Sequence, residues 1–452
     1  MTEFPLEPDA EAIREMGMRA IDFVAEQVEK WPRTPVWRPG ATNPLLAPPP
    51  ELPGELDKLL SMVGDAADRG LNTASAGYLA YFPAGGLISA AIGEMVAMSL
   101  NRFTGFAALA PELVAIEHSV IAWLCRLFGL PEGAGGLITT GGSLATLAAV
   151  VAARERGGGP DSVLYVGEYA HHCIAKAARL CGLPDDRIRI VPSTAELRMD
   201  AGRAAEMIAA DRARGLRPFL LAAAAGSTST GLIDPLDELG ELAEREGLWF
   251  HVDGAYGAPF QLTERGRALL TGIERADSIV LDPHKSLFLP YGTGVVLVRS
   301  ESALRAAHSG DGSYLHDIER CAGLPDYADI GPELSREWRG LRLWLPLHLH
   351  GIGAFRRALT EKLELAEFAH RELMRIPRLE VPWAPDLTVV GFRHRDGTAA
   401  SRQLLERING AGRYFLSSTE VAGAYTVRMC PLSVRTHAEQ MEEVIRAIAA
   451  AV

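Results

Sequence analysis

From about residue 110 to residue 298 the chain keeps changing period. Helical patterns at 111–128, 143–156, 174–180, 199–214 and 236–246 alternate with short apolar runs at 162–166, 188–191, 219–223, 248–252, 278–281 and 294–298. A strand that is apolar at every position must be covered on both faces, and strands joined through helices run parallel. The pattern therefore predicts an α/β unit, a mostly parallel sheet flanked by helices. At 452 residues the chain is also too long for one simple core.

The flanks read differently. Residues 10–31 carry apolar side chains at helical spacing (Ile13, Met16, Ala20, Phe23, Val24, Val28), and a Pro-rich stretch, "TNPLLAPPPELPGE", follows. This predicts an N-terminal helical arm and linker over 1–65, with a partner subunit as the surface the arm needs. The large α/β domain is expected over 66–345. Beyond it a long helix around 341–357 and strand-like segments at 387–393, 414–421 and 424–430 precede a last helix. They predict a small C-terminal α+β domain over 346–452.

Composition excludes several classes. The net charge is −12 with no basic stripe, which argues against nucleic-acid binding. Five scattered cysteines with no CxxC spacing speak against a disulfide framework or a zinc site and fit a reducing compartment. The start, "MTEFPLEPDAEAIREMG", lacks the basic-then-apolar build of a signal peptide. The apolar zone 78–100 is interrupted by Pro83, Gly85, Gly86 and Glu94, so no membrane span is expected and a cytoplasmic location is.

Ligands of open parallel sheets bind beyond the carboxyl ends of the strands. Polar signatures gather there: Asp253 in "LWFHVDGAYG", His284 and Lys285 in "SIVLDPHK", Ser227 and Thr228 in "AAAAGSTSTG". A lysine set between apolar runs loses hydration, and a poorly hydrated amine is nucleophilic toward carbonyls. In "LITTGGSLATLAAVVAAR", Gly141, Gly142 and Ser143 open an apolar helix whose bare N–H groups suit a phosphate. Alone, a Gly-Gly-Ser start is an ordinary cap and an Asp/Lys pair an ordinary buried salt bridge. Together, an amine, a carboxylate for a pyridinium nitrogen and a phosphate cradle describe a site for pyridoxal 5′-phosphate.

On these residues, and on "YLAYFP" at 78–83, the chain resembles the group II pyridoxal-dependent decarboxylases, the family of aromatic-amino-acid, histidine and glutamate decarboxylases. The resemblance implies a fold-type I homodimer with active sites shared at the subunit interface. It implies Lys285 as the Schiff-base lysine, Asp253 as partner of the pyridinium nitrogen, and Ala255 beneath the ring. His171 matches the histidine stacked on the other face, with His172 as the alternative. Thr228 matches a residue near the ring 3-oxygen, and Gly142, Ser143 and His284 match phosphate-side contacts. Tyr314, in "GDGSYLHD", falls where the family has a mobile-loop tyrosine that protonates the substrate carbon. Two departures stand out: Asp282 where many members have asparagine, and Cys173 where serine is frequent.

The implied activity is decarboxylation of an L-amino acid to its amine and CO₂. Tyr81, Phe82 and Phe106 are expected as an aromatic substrate wall, although Phe82 and Phe106 also read as core residues. Ser335 occupies a position where, in the family, glycine accompanies room for indole and serine smaller rings, so a phenolic, phenyl or imidazole side chain is expected. The alternatives are an aldehyde synthase, which couples decarboxylation to oxidative deamination, and a non-catalytic protein that binds the cofactor.

Overall fold

The computed structural model describes residues 6–37, 48–310 and 320–452. The main sheet is built from β1 Gly135–Thr139, β2 Ser162–Gly167, β3 Ile188–Val191, β4 Arg217–Ala224, β5 Trp249–Asp253, β6 Ser278–Leu281 and β7 Gly294–Val298. Their order is β1-β7-β6-β5-β4-β2-β3. Strands β3, β2, β4, β5 and β6 run parallel, and β7 lies antiparallel to both β6 and β1. The six apolar runs are all strands. The strand the sequence hid is β1: Gly135 and Gly136 erase the β-branched signal. The structure requires glycine there, because a Cβ on Gly136 would stand 2.1 Å from the Val296 carbonyl oxygen.

Period-two alternation sorts the strands between two helical layers. In β5, Phe250 and Val252 join Leu221, Ala223, Ile279 and Leu281 under helices Ala201–Ala213 and Leu236–Glu246. Trp249 joins Leu220, Ala222 and Val280 on the opposite face, under helix Gly142–Gly157. That helix buries Ala145, Ala148, Ala149, Ala152 and Ala153, and such small side chains let it lie close against the sheet. Asp253 shares the alternation of Trp249 and so ends its strand on the helix Gly142–Gly157 side.

The single long helix expected around 341–357 is instead two, Gly340–His350 and Ile352–Met374. Gly351 separates them at φ +72°, ψ 151°, a conformation no α-helix contains. The second helix, with Thr398–Gly410 and Ala438–Ala451, packs on a four-stranded antiparallel sheet of order β10-β11-β9-β8. Its strands are β8 Leu379–Glu380, β9 Val390–His394, β10 Ser417–Val421 and β11 Ala424–Met429.

At the N-terminus, helix Ala10–Lys30 is capped by Asp9, whose carboxylate accepts the N–H groups of Glu11 and Ala12. No residue of this helix is buried, and Ile13, Met16, Met18 and Ile21 are exposed. Phe23 faces Gly64 of helix Leu56–Ala67, so the two N-terminal helices touch each other. Among the described residues, no helix is long and apolar enough to cross a membrane.

Candidate active site

Strand direction explains why distant residues meet. β1, β2, β4, β5 and β6 all point the same way, so their carboxyl ends share one edge of the sheet. β1 delivers Gly142 and Ser143, β2 His171, β4 Thr228, β5 Asp253 and Ala255, and β6 His284 and Lys285. All eight line a single cavity of about 370 Å³, and Phe82 lines it with them. His171, half-buried, forms part of the wall, whereas its neighbour His172 is exposed and does not.

Phe82 belongs to that wall more than to the core. Its ring stacks on Tyr256 with centroids 4.2 Å apart and lies 5.4 Å from Lys285 Nζ. The rest of the expected substrate wall is elsewhere. Tyr81 turns outward at φ +52° and is 58% exposed. Phe106 is buried beside Phe103, and Ser335 is exposed; neither lines the cavity. Their segments are tied together, since the Ala107 N–H donates to Asp326 Oδ1 at 2.8 Å and the Ala328 N–H to the Gly105 carbonyl at 3.0 Å. Tyr314 lies outside the described residues.

The polar groups are held by local bonds. Asp253 is 8% exposed, and its Oδ1 accepts the Ala255 N–H at 3.1 Å, which fixes the carboxylate at the strand end. His171 Nδ1 accepts the Cys173 N–H at 3.2 Å, so in the neutral ring the proton sits on Nε2. Burial pushes this imidazole below its ordinary pKa, against the opposing pull of Asp253. Burial also lowers His284, against the pull of Asp282. His284 Nδ1 donates to the Thr293 carbonyl at 2.7 Å. Cys173 is no nucleophile: burial pushes its thiol up to about 12, and its sulfur lies 3.7 Å from Thr146 Oγ1.

The helix start is shaped as a cradle. The first N–H groups of an α-helix have no acceptor inside it. Gly141, at φ +152°, precedes them, and a Cβ built there would meet nothing nearer than His284 Cε1 at 3.9 Å. The space over these amides is open to a phosphate-sized anion. An amine, a buried carboxylate and this helix start in one cavity fit pyridoxal 5′-phosphate.

Two groups in or beside the site were not assigned from sequence. Asp282, 3% exposed, turns inward, with Oδ2 3.0 Å from Lys285 Nζ. Arg428, on β11, lies behind the wall with its Cζ 5.4 Å from the Phe82 ring centre. Its Nε and Nη2 have no hydrogen-bond partner among the described residues. A buried guanidinium so placed creates a positive potential for anionic groups at the Phe82 wall. The available signal was an arginine inside the apolar strand pattern "AYTVRMC".

Comparison with known proteins agrees with this geometry. Residues 39–395 match the pyridoxal-dependent decarboxylase conserved domain. The chain is 31% identical to an aromatic-L-amino-acid decarboxylase of Bacillus atrophaeus over 98% of its own length and 96% of the relative's. It is 28% identical to a phenylacetaldehyde synthase of Arabidopsis thaliana, covering 97% and 96% of the two chains. Among solved structures, Oryza sativa TDC with PLP and tryptamine superposes with a TM-score of 0.93 at 25% identity, covering 99% of each chain.

Proposed function

The chain belongs to the pyridoxal-dependent decarboxylase family and decarboxylates amino acids with pyridoxal 5′-phosphate, and from that premise we propose that its substrate is an L-amino acid with a phenolic, phenyl or imidazole side chain, released as the corresponding amine and CO₂. The observation that carries this reading is the convergence of Lys285, Asp253, His171 and the Gly142–Ser143 helix start on one cavity with an aromatic wall at Phe82. Relatives named as aromatic-amino-acid decarboxylases support the substrate class.

In this reading Lys285 would tether the cofactor through its amine and Asp253 would pair with the pyridinium nitrogen. Gly142, Ser143 and His284 would hold the phosphate side, while His171 and Ala255 would bound the ring. The cofactor supplies an electron sink for the carbanion left when CO₂ departs. Asp253, held at the strand end by the Ala255 N–H, would be the partner of that nitrogen. The Phe82–Tyr256 stack excludes water from one side of the substrate, which favours release of the charged carboxylate as neutral CO₂. Tyr314 delivers the proton to the substrate carbon.

The active unit is a homodimer with shared sites. The wholly unburied helix Ala10–Lys30, with its exposed apolar side chains, supports this. So does the placement of Phe106 and Ser335 off the protomer's own cavity. Light scattering on the purified chain should give twice the monomer mass.

A rival, the coupling of decarboxylation to oxidative deamination that the resemblance also allows, is supported by a relative named as a phenylacetaldehyde synthase. Tyr314 weighs against it, because the resemblance associates phenylalanine at this position with aldehyde formation. Incubation with each standard amino acid and DOPA, followed by mass detection of amine, aldehyde and CO₂ and an assay for peroxide, separates the readings. Peroxide and aldehyde in equal yield would establish the rival, and absence of any product would overturn both.

A further inference from the structure

Asp282 is a carboxylate in an unfavourable place. It is 3% exposed, its Oδ1 has no hydrogen-bond partner among the described residues, and it lies against the start of the phosphate cradle. A Cβ built on Gly142 would stand 2.9 Å from Asp282 Oδ2 and 3.1 Å from Oδ1. A buried anion beside a phosphate is repelled, and one without a counter-ion is costly.

Among the described residues, its surroundings offer a single cation. Lys285 Nζ lies 3.0 Å from Oδ2. From the same turn, His284 points Nε2 at Oδ2 from 3.7 Å. Because His284 Nδ1 must donate to the Thr293 carbonyl, the neutral ring shows Asp282 a bare lone pair. From β5 come the Ala255 carbonyl, which accepts the Asp282 N–H at 3.0 Å, and a second carboxylate, Asp253. From the segment after β2 come His171 and the protonated Cys173 thiol. Lys285 is also the amine that must bond to the cofactor, and its nitrogen cannot do so while it carries the extra proton and holds this ion pair.

We propose that Asp282 is the proton acceptor for Lys285 when the cofactor loads, and that the neutral acid so formed removes the negative charge that would oppose the phosphate at Gly142. The inference rests on the cofactor assignment. The proton leaves Lys285 Nζ and arrives on Asp282 Oδ2, giving a neutral amine and a neutral carboxylic acid. The amine then bonds to the cofactor's carbonyl carbon, whose oxygen departs as water. No further acid, base or oxidant is consumed. An asparagine in this position could not take the proton.

The test uses the full chain freed of cofactor, with pyridoxal 5′-phosphate as probe and ¹³C-carboxyl aspartate as label. Infrared difference spectra on adding the probe should show a protonated-acid carbonyl band that carries the isotope shift and is missing in Asp282→Asn. Stopped-flow absorbance should show Asp282→Asn loading about a hundredfold more slowly, the low end for proton transfer by a placed carboxylate, and formate, but not chloride, restoring part of the lost rate to Asp282→Ala. Should Asp282→Asn fail to fold, the isotope-shifted band in the unsubstituted chain and the formate rescue still decide. Binding without the acid band, or an Asp282→Asn that loads at the unsubstituted rate, overturns the proposal alone. A chain that takes up no cofactor overturns it together with the cofactor assignment.

Discussion

Replacing Glu117 by glutamine should unfold this protein far more readily than its conservative shape implies. Glu117 lies on helix Pro111–Leu127, and its Oε1 accepts from Arg336 Nη2 at 2.6 Å. The two side chains are 0% and 1% exposed, so neither charge has solvent to fall back on. At that separation and an effective dielectric of about 20, the Coulomb attraction is about 6 kcal/mol. Removing one member of a buried pair typically costs about 3–5 kcal/mol, because the other charge stays buried and unpaired. Glu117→Gln should therefore cost about 3–5 kcal/mol, read from the shift in guanidinium unfolding. The loss should reach the site, since Arg336 Nη2 also donates to the Ile138 carbonyl at 3.2 Å, at the end of β1 that leads into the phosphate cradle. The control is the double substitution Glu117→Leu with Arg336→Met, which removes both charges and should recover most of the lost stability. A single substitution costing less than about 1 kcal/mol, the range of exposed ion pairs, would falsify the argument that this pair is held out of water.

Further outcomes test other parts of the structure. His251 is buried, with Nδ1 2.8 Å from Ser278 Oγ, and burial lowers its pKa from 6.5 to about 4. The folded chain then binds fewer protons than the unfolded one between these values, so stability is full above 6.5 and falls on acidification by about 1.4 kcal/mol per pH unit. His251→Asn should flatten that stretch of a stability–pH profile, and an unchanged slope would exclude His251 as its source. Lys285→Ala should abolish the yellow colour and the borohydride-fixed adduct that peptide mapping places on residue 285. Tyr314→Phe should keep the colour yet divert product from amine to aldehyde; amine at the unsubstituted rate would remove the tyrosine from the protonation step.

Much of the site was legible because its residues sit where periodicity is interrupted. Asp253, His284 and Lys285 each follow a short apolar run directly, and β5 and β6 are adjacent and parallel, so order along the chain became proximity in space. Arg428 was hidden because it reaches the same wall from the small domain, well over a hundred residues later in the chain, with only an arginine in a strand to mark it. The turn at Tyr81 was also not legible: at φ +52° the backbone bends, so Phe82 lines the cavity while Tyr81 is exposed. The break at Gly351 was also missed, since apolar spacing continues through it and a glycine within a helical pattern is ordinarily tolerated.

By itself the sequence determined the α/β architecture and marked Lys285, Asp253 and the Gly142–Ser143 helix start as polar groups at strand ends, because hydrophobic period and strand-end position are local properties. Tertiary structure alone decided that Asp282 turns onto Lys285, that Arg428 stands behind Phe82, and that Phe106 and Ser335 lie away from the cavity. Those facts depend on where a side chain points and on which distant segments pack together, and residue order along one chain carries neither.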